Sequence, residues 1–206
     1  GLSSIDIVFI HDLSPDNGDM KDSYARYFEE AAKGAMPELT KMRAEGIIKG
    51  WGLGVNTIEP ILQTLDVADP DIFLSACQYS LIKHDNLSNV FPKVAKRDIS
   101  IVVGAPLCAG FLSGKDRYLY DGKFPAGVKE KLSALQRVAE NHAVDLRTAA
   151  LQFAAAPDEV SGVIPGAHTA EQAVQNALSF KAKIPAGFWE ELKHEKLIAE
   201  NAPVPN

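Results

Sequence analysis

Residues 5–12 of the chain read IDIVFIHD, a nearly continuous apolar run that ends in His11 and Asp12. A run of this kind is typical of a β-strand that is buried on both faces, as strands of parallel sheets are. An open dinucleotide-binding sheet would normally carry the pattern G-x-G-x-x-G directly after its first strand. The His-Asp pair in that place argues against an open doubly wound sheet and favours part of a barrel.

The rest of the chain alternates apolar runs of strand length with longer segments of helical periodicity. We predict strands at residues 5–10, 47–55, 72–77, 99–106 and 160–164. We predict helices at residues 24–45, 57–67, 86–97, 128–142, 146–155, 170–180 and 188–199. This alternation is typical of α/β proteins with a parallel sheet, and it gives five βα units.

Composition and charge limit the classes of protein to which this chain can belong. The length of 206 residues suffices for one core and predicts a single domain over residues 1–206. The net charge is −6 and the charges alternate without basic runs, so we expect no nucleic-acid partner. We find no apolar run of about 18 residues for a membrane span, and the first residues lack the basic region of a signal peptide. These features predict a cytoplasmic protein.

Neither the cysteines nor the histidines show a metal-binding pattern. Cys77 and Cys108 lack the paired spacing of a zinc or redox motif, and each adjoins an apolar run. We therefore predict two reduced, mostly buried thiols. The histidines at positions 84, 142, 168 and 194 have no ligand spacing among them, so we predict no metal site.

Residues 107–127 are rich in Gly, Tyr and Lys without periodicity, which predicts a functional loop over one mouth of the sheet. Within this loop AGFLSGKD resembles a P-loop, but Ala109 replaces the first glycine and Asp116 replaces the Ser or Thr that holds magnesium. We therefore predict no nucleotide triphosphate site. The backbone amides of a loop that begins at Pro106 could still bind a pyrophosphate.

The second predicted strand contains three glycines in the sequence GWGLGV. Their spacing does not match the dinucleotide fingerprint. Inside a strand pattern, Gly50, Gly52 and Gly54 predict the close approach of a ligand or of neighbouring backbone.

His11 stands at the carboxyl end of the first predicted strand, the face on which barrel enzymes place their reactive groups. A neutral imidazole there can donate a hydrogen bond to a substrate carbonyl or hydroxyl and stabilise charge that develops on the oxygen. A histidine that caps a strand or completes a core would give the same pattern. The strand context leaves both interpretations open.

Residues 163–178 read VIPGAHTAEQAVQNAL, which predicts a strand, a turn and the start of a helix. Thr169 and the free amides of the helix N-terminus offer a site for a phosphate. Gln172, Gln175 and Asn176 follow on the first two helical turns. An ordinary capped helix would have the same features, so both interpretations stay open.

Five blocks of the sequence, in the same order, resemble those of the aldo-keto reductase family and together span essentially the whole chain. The blocks are IDIVFIHD (5–12), MRAEGIIKGWGLGVN (42–56), CQYSLI (77–82), VVGAPLCAGFLSGK (102–115) and VIPGAHTAEQAVQNAL (163–178). The resemblance implies a parallel (β/α)8 TIM barrel, of which this chain holds about five of the eight βα units.

The resemblance also implies roles for individual residues. His11 would be the catalytic histidine, Asn56 would bind the nicotinamide carboxamide, and the loop that contains Leu107 would cover the pyrophosphate. The residues implied for the adenosine end are Gly166, Thr169, Gln172, Gln175 and Asn176.

Two departures from the usual family pattern indicate a branch. Ala76 stands where many members carry Gln, and Gly104 stands where many stack a Tyr on the nicotinamide. With the closing APVP, these changes resemble the aldose and pyridoxal dehydrogenases of the family. The resemblance implies an oxidoreductase for a small sugar or aldehyde, which passes hydride from an L-fucose- or D-arabinose-type aldose, or from pyridoxal, to the cofactor and forms a lactone.

The choice of cofactor follows from charge. A 2′-phosphate needs cationic partners, and NADP-binding members of the family place Lys and Arg in the last block. Here those positions hold Gly166 and Gln172, and His168 is the only nearby residue that could add charge. We therefore predict NAD, with NADP the less favoured cofactor.

In the family, the catalytic Asp, Tyr and Lys lie on strands upstream of the histidine, and this sequence contains no counterpart of that part. Because the Tyr acts there as general acid or base, we expect the chain alone to be incomplete for catalysis. Unpaired strand edges predict a missing N-terminal segment or self-association. One alternative is a non-catalytic dinucleotide-binding remnant, or a segment that needs a second chain to complete its barrel. A barrel aldolase or isomerase would need a reactive Lys or paired carboxylates at strand ends, and Lys83 lies beyond the third strand.

Overall fold

The computed structural model describes residues 3–120 and 122–205. Five strands form one sheet in which every neighbouring pair is parallel and the strands hydrogen-bond in chain order. The strands are β1 (Ile7–His11), β2 (Gly50–Val55), β3 (Ile72–Ala76), β4 (Ser100–Gly104) and β5 (Val160–Ile164). A doubly wound sheet reverses its strand order at a switch point, and this order does not reverse within the described residues. The predicted α/β class with five parallel βα units is confirmed.

The connection between β1 and β2 contains two helices where one over residues 24–45 is predicted. They are α1 (Tyr24–Lys33) and α2 (Ala35–Ala44). Gly34 has non-helical angles, with φ −120° and ψ −78°. Pro37 contributes to the break because it lacks an amide hydrogen and its ring would clash with the carbonyl four residues earlier in a continuous helix.

The segment between β3 and β4 is also less regular than predicted. Residues 86–97 fold as α4 (Asp85–Asn89), α5 (Phe91–Val94) and a 3₁₀ turn (Ala95–Arg97). Pro92 explains this break, since proline is tolerated in the first turn of a helix but not in its interior.

The remaining helices begin close to their predicted positions. They are α3 (Glu59–Val67), α6 (Val128–Asn141), α7 (Leu146–Ala155), α8 (Ala170–Ser179) and α9 (Ala186–His194). The last ends earlier than predicted because Lys196 adopts a left-handed φ of 57° and the amide of Leu197 donates to the carbonyl of Leu192, a Schellman turn. No helix in the described part of the chain is long and apolar enough to span a bilayer.

A hydrophobic cluster fills the space between the sheet and its helices. Trp51 of β2 and Phe73 of β3 are fully buried in it. Phe153 of α7 stacks on Tyr79, with ring centroids 5.0 Å apart. Full burial of such a side chain contributes roughly 1.5–3 kcal/mol to stability. Because this core is continuous, we propose that residues 1–206 form a single domain.

Gly52 lies where β2 meets the beginning of β3. A Cβ atom added at this position would lie 1.5 Å from the carbonyl oxygen of Ile72. Only glycine permits this approach of two backbones. The close backbone contact predicted for the GWGLGV segment is therefore present at Gly52.

The two outer strands of the sheet are more exposed than the central ones. Every residue of β2 is buried, whereas Ile7 of β1 is 44% exposed and Ile164 of β5 is 50% exposed. Helix α8, which follows β5, also carries the exposed apolar side chains of Val174 and Leu178. Both edges of the described sheet therefore present apolar surface to solvent.

Candidate functional site

The carboxyl ends of all five strands lie at the same edge of the sheet because the strands are parallel. His11 is the last residue of β1, and Asn56 directly follows β2. Leu107 and Gly166 come shortly after the ends of β4 and β5. The residues proposed for the two ends of a dinucleotide therefore lie along one edge.

Three residues other than glycine adopt left-handed backbone angles directly after strands at this edge. They are Asp12 after β1 (φ 51°), Cys77 after β3 (φ 66°) and Ala105 after β4 (φ 53°). Each such conformation costs roughly 1–2 kcal/mol for a residue with a Cβ atom. Strain of this kind is concentrated at functional sites, where the surrounding structure holds it in place.

A cavity of about 750 Å³ opens at this edge beside β4 and β5. Its volume falls within the range of roughly 300–1,000 Å³ that is typical of ligand pockets. The walls come from the strand ends, the loop after β4, the first turn of α7 and the first two turns of α8. The lining residues are Leu74, Ala76, Gly104, Ala105, Leu107, Ala109, Gly110, Ser113, Lys115, Arg117, Tyr120, Arg147, Ile164, Pro165, Gly166, Ala167, His168, Gln172, Gln175 and Asn176.

The predicted site residues divide into two groups. Those that line the cavity are Leu107, Gly166, Gln172, Gln175 and Asn176. Those outside its lining are His11 and Asn56, at the ends of β1 and β2, and Thr169, which caps α8. Their roles in binding and catalysis stay predictions.

The N-terminus of α8 is held by two reciprocal hydrogen bonds. The hydroxyl oxygen of Thr169 accepts from the backbone amide of Gln172 at 3.2 Å. The side-chain oxygen of Gln172 accepts from the backbone amide of His168 at 2.8 Å. The side-chain oxygen of Gln172 is thus engaged by the loop. The NH₂ group of the same side chain remains available to donate to a ribose hydroxyl or a phosphate. The same pair stabilises the helix start by side-chain capping.

Asn176 holds the turn that follows β5. Its side chain is 8% exposed and donates to the carbonyl oxygen of Gly166 at 3.1 Å. Gly166 has a φ of 71°, a conformation that favours glycine. The Asn176 oxygen in turn accepts from Nη1 of Arg147 at 3.4 Å. We therefore interpret Asn176 as a residue that positions both the turn and the arginine.

The cavity carries more positive charge than the sequence predicts. The prediction that His168 is the only nearby residue able to add charge is wrong, because Lys115, Arg117 and Arg147 also line the cavity. Lys115 and Arg117 reach the cavity because the loop after β4, to which they belong, forms part of its wall. Arg147 comes near because the first turn of α7 lies beside α8, which the separation along the chain does not reveal.

Flat apolar surface lies beside this charge. Leu74, Ala76 and Gly104 line the cavity at the ends of β3 and β4. A Cβ atom at Gly104 would lie 3.0 Å from the Cβ of Ala76, so the surface is kept open by the absence of a side chain. A cradle with cations at one part and a bare apolar floor at another fits a dinucleotide, which has an anionic pyrophosphate and a flat nicotinamide ring.

His11 lies at the outer edge of the sheet. Its side chain is 82% exposed, and its Nε2 atom lies 3.7 Å from a carboxylate oxygen of Asp12. Asn56, at the end of the next strand, is held by more hydrogen bonds. Its backbone oxygen accepts from the Gln78 side chain, and the side-chain oxygen of Gln78 accepts from Lys83 at 2.8 Å. No sequence motif points to this role of Gln78.

The two cysteines lie near the same strand ends and are buried free thiols, as predicted. Burial raises the pKa of Cys77 to about 12 and that of Cys108 to about 11. Both thiols are therefore protonated at neutral pH, which excludes them as activated nucleophiles. Among the described residues, no group of three or more His, Cys, Asp or Glu side chains is placed to hold a metal ion.

Comparison with known proteins gives a consistent result. The model of the aldo/keto reductase family matches residues 1–195. The chain is 31% identical over 204 residues to pyridoxal 4-dehydrogenase from Microbacterium luteolum, covering 97% of this chain and 59% of that protein. It is 31% identical over 203 residues to D-threo-aldose 1-dehydrogenase from a Pseudomonas species, covering 96% of this chain and 58% of that protein. The chain thus spans less than two thirds of the length of these relatives.

Solved structures agree on the fold. An aldo-keto reductase from Bacillus halodurans, in its holo form, superposes with a TM-score of 0.67 at 22% identity, over 98% of this chain and 61% of that one. The glycerol dehydrogenase from Gluconobacter oxydans superposes with a TM-score of 0.62 at 20% identity, over 100% of this chain and 62% of that one. These neighbours are (β/α)8 barrels, and the predicted barrel type is confirmed.

Proposed function

The chain belongs to the aldo/keto reductase family, and we propose that it is the dinucleotide-binding part of an NAD-dependent dehydrogenase for an aldose or for pyridoxal. The observation that carries the proposal is that one edge of a parallel sheet bears both His11 and the cavity of about 750 Å³. The names of the two relatives with 31% identity support this choice of substrate class.

The cavity residues would hold the cofactor in extended form. Gln172 and Gln175 would contact the adenosine end, Lys115 and Arg117 the pyrophosphate, and the floor at Gly104 the nicotinamide side. When bound, the nicotinamide supplies a hydride acceptor. The apolar floor and the strand-end loops would exclude water from that region.

His11 would act on the substrate. Oxidation of a hemiacetal carbon removes a hydride from that carbon and a proton from its hydroxyl, and the product is a lactone. A neutral imidazole at the end of β1 can donate a hydrogen bond to the substrate oxygen and orient it. The proton acceptor implied by the family resemblance is a Tyr–Lys–Asp set upstream of His11. Catalysis therefore requires strands beside β1 that the described residues do not include.

The preference for NAD rests on neutral residues at the end of the cavity. Gly166 and Gln172 cannot offset the two charges of a 2′-phosphate. Arg147 is the specific observation in favour of NADP, since its guanidinium lines the same cavity and reaches Asn176. We propose NAD as the physiological cofactor. Arg147 would account for any weaker binding of NADP.

The test is an assay of the 206-residue chain for NADH formation with L-fucose, D-arabinose and pyridoxal. Isothermal titration with NAD and NADP accompanies the assay. The proposal expects the 206-residue chain to bind NAD with little or no turnover. Failure to bind either cofactor would overturn it. Turnover by the chain alone at a usual enzymatic rate of roughly 1–1,000 per second would overturn the requirement for further strands.

A second candidate is a non-catalytic chain that completes its barrel with another polypeptide. The apolar side chains exposed at both sheet edges, Ile7 and Ile164, favour it, because unpaired edges are templates for further strands. Light scattering coupled to size-exclusion chromatography separates the two candidates. A stable monomer with bound NAD supports the first, and a defined oligomer supports the second.

A further inference from the structure

A second cavity lies in a different part of the molecule and shares no lining residue with the first. Its volume is about 640 Å³. It is formed where the loop after β3, the first turns of α6 and the segment after α9 meet. The side chains that matter for its chemistry are those of His84, Lys131, Lys193, His194, Lys196 and Glu200.

The Schellman turn at the end of α9 places the cations of this cavity together. Lys193 and His194 occupy the last turn of α9, and Lys196 lies at the left-handed position just beyond it. The chain then reverses, so that residues 197–200 form another part of the wall. Three basic side chains are thus gathered by a single helix end.

The acidic residues near the end of α9 do not neutralise these lysines. Glu191 of α9 pairs with His142 at 2.7 Å, and Glu195, just beyond the helix, pairs with Arg137, so these two acids face α6. Glu190 of α9 is exposed and lies outside the lining of the cavity. Within residues 3–120 and 122–205, none of Lys131, Lys193 and Lys196 has a carboxylate oxygen within 4.0 Å. Glu200 is the acidic residue in the lining. The wall therefore carries a clear excess of positive charge.

Two partly buried groups lie in the same wall. Lys131 donates to the carbonyl oxygen of Ile82 at 2.9 Å, which leaves two of its protons free. Burial lowers the pKa of Lys131, and burial with the nearby Lys131 lowers the pKa of His84 to about 4, so His84 is neutral at pH 7. The Nε2 atom of His84 is enclosed and has no hydrogen-bond partner among the described residues. An anion in the cavity would therefore offset the charge of Lys131 rather than bind the His84 imidazole.

We propose that this cavity binds a small phosphate-bearing anion, such as a pyrophosphate or a phosphorylated metabolite. Ammonium groups on flexible stems act as point charges around a tetrahedral anion, and the exposed imidazole of His194 can add one directional N–H donor. The volume exceeds what a single phosphate fills, so the ligand extends beyond one phosphate. The site does not depend on dinucleotide binding, because its residues are separate from the first cavity.

The first experiment titrates inorganic pyrophosphate into the 206-residue chain at a low ionic strength of about 0.05 M, where charge attraction is weakly screened. Orthophosphate and citrate are titrated in parallel. The proposal expects pyrophosphate to bind more tightly than orthophosphate and citrate. No measurable binding of pyrophosphate, or equal binding of citrate, would overturn the phosphate assignment.

Matched variants locate the binding. Lys193→Gln combined with Lys196→Gln removes two charges from the cavity, and Lys181→Gln combined with Lys183→Gln removes the same charge from outside its lining. We expect the first pair to raise the pyrophosphate Kd by about tenfold, as loss of charge-assisted hydrogen bonds does, and the second by less than about twofold. Equal effects from both pairs would mean long-range attraction and would overturn the site.

A third variant and a spectroscopic measurement exclude the dinucleotide cavity as the source of the signal. Pyrophosphate binding should persist in Lys115→Gln combined with Arg117→Gln, and its loss there would overturn the proposal. Nuclear magnetic resonance of the five histidine rings should show shifts for His84 and His194 on addition of pyrophosphate, with His168 unmoved. Circular dichroism establishes that each variant remains folded, and the histidine measurement needs no variant at all.

Discussion

The side chain of Asn176 donates a hydrogen bond of 3.1 Å to the carbonyl oxygen of Gly166 and so ties helix α8 to the turn after β5. The bond is partly buried, since Asn176 is buried and Gly166 is exposed, and the amide oxygen of Asn176 also accepts from Arg147. One side chain thereby fixes three parts of the cavity wall. In the proposed cofactor site, Asn176 would therefore shape the adenosine end mainly through these hydrogen bonds, and less through direct contact with the cofactor.

Asn176→Ala should therefore weaken both the fold and the cavity. Loss of this partly buried hydrogen bond should lower the free energy of unfolding by about 0.5–1.5 kcal/mol, because water can reach the exposed Gly166 carbonyl. Urea denaturation measures this change, and titration with NAD should show a weaker Kd in the same variant. The matched control is Gln175→Ala, an exposed neighbour in the same cavity. Its unfolding free energy should change by less than about 0.5 kcal/mol, and an equal loss in both variants would contradict the role given to Asn176.

Arg147→Gln should discriminate between the two nicotinamide cofactors. If the guanidinium contacts the 2′-phosphate, its loss should raise the NADP Kd by about tenfold and leave the NAD Kd within about twofold. Titration of both cofactors into each protein measures this. The control Arg137→Gln removes the same charge from α6, where Arg137 pairs with Glu195. An equal effect of Arg147→Gln on both cofactors would place Arg147 at the pyrophosphate instead.

Gly52→Ala should be far more damaging than Gly54→Ala in the same strand. The added Cβ would meet the Ile72 carbonyl oxygen at 1.5 Å in the first variant, whereas in the second the nearest atom is the Phe9 Cβ at 3.7 Å. We expect a loss of at least about 3 kcal/mol for Gly52→Ala and less than about 1 kcal/mol for Gly54→Ala. Soluble yield and denaturation midpoints measure the difference. Similar stability of the two variants would contradict the observed approach of β2 and β3.

The two buried thiols should react slowly while the protein is folded. Because burial raises the pKa of Cys77 to about 12 and that of Cys108 to about 11, their thiolate fractions are small at pH 8. We expect alkylation by iodoacetamide at pH 8 to be at least about 100-fold slower in the folded chain than in urea. In the folded chain the rate should rise about tenfold per pH unit between pH 7 and 9, since the thiolate fraction grows in proportion below the pKa. Mass spectrometry of each cysteine peptide measures the rates, and a fast thiol at pH 8 would contradict the prediction.

Much of the architecture follows from the sequence because strands and helices differ in periodicity. The apolar runs at residues 72–77 and 160–164 correspond closely to β3 and β5. Prolines inside two predicted helices, Pro37 and Pro92, accompany the breaks that the periodicity alone does not reveal. Residue types close in sequence thus explain both the strands that are predicted correctly and the two predicted helices that are broken in the structure.

The candidate site was less predictable than the fold. Blocks of sequence identify Gly166 and Gln172, which lie on one continuous strand-turn-helix segment. Arg147 was missed because it belongs to the preceding helix and reaches the cavity only through packing against α8. Asn176, for which a direct binding role is predicted, lines the cavity and also bonds to Gly166 and Arg147, a positioning role that its place in the sequence does not reveal. Its role in binding stays a prediction.

The strand order has a consequence for how the chain acquires its structure. After β1, each strand pairs with the strand synthesised before it, but the paired residues are far apart in sequence, as Ile7 with Gly50 and Ile101 with Val160. Such parallel pairings form more slowly than the local contacts of helical bundles, because closing the intervening chain costs entropy first. Every strand after β1 nevertheless finds its first partner already synthesised, so the sheet can extend in the order in which the ribosome makes it.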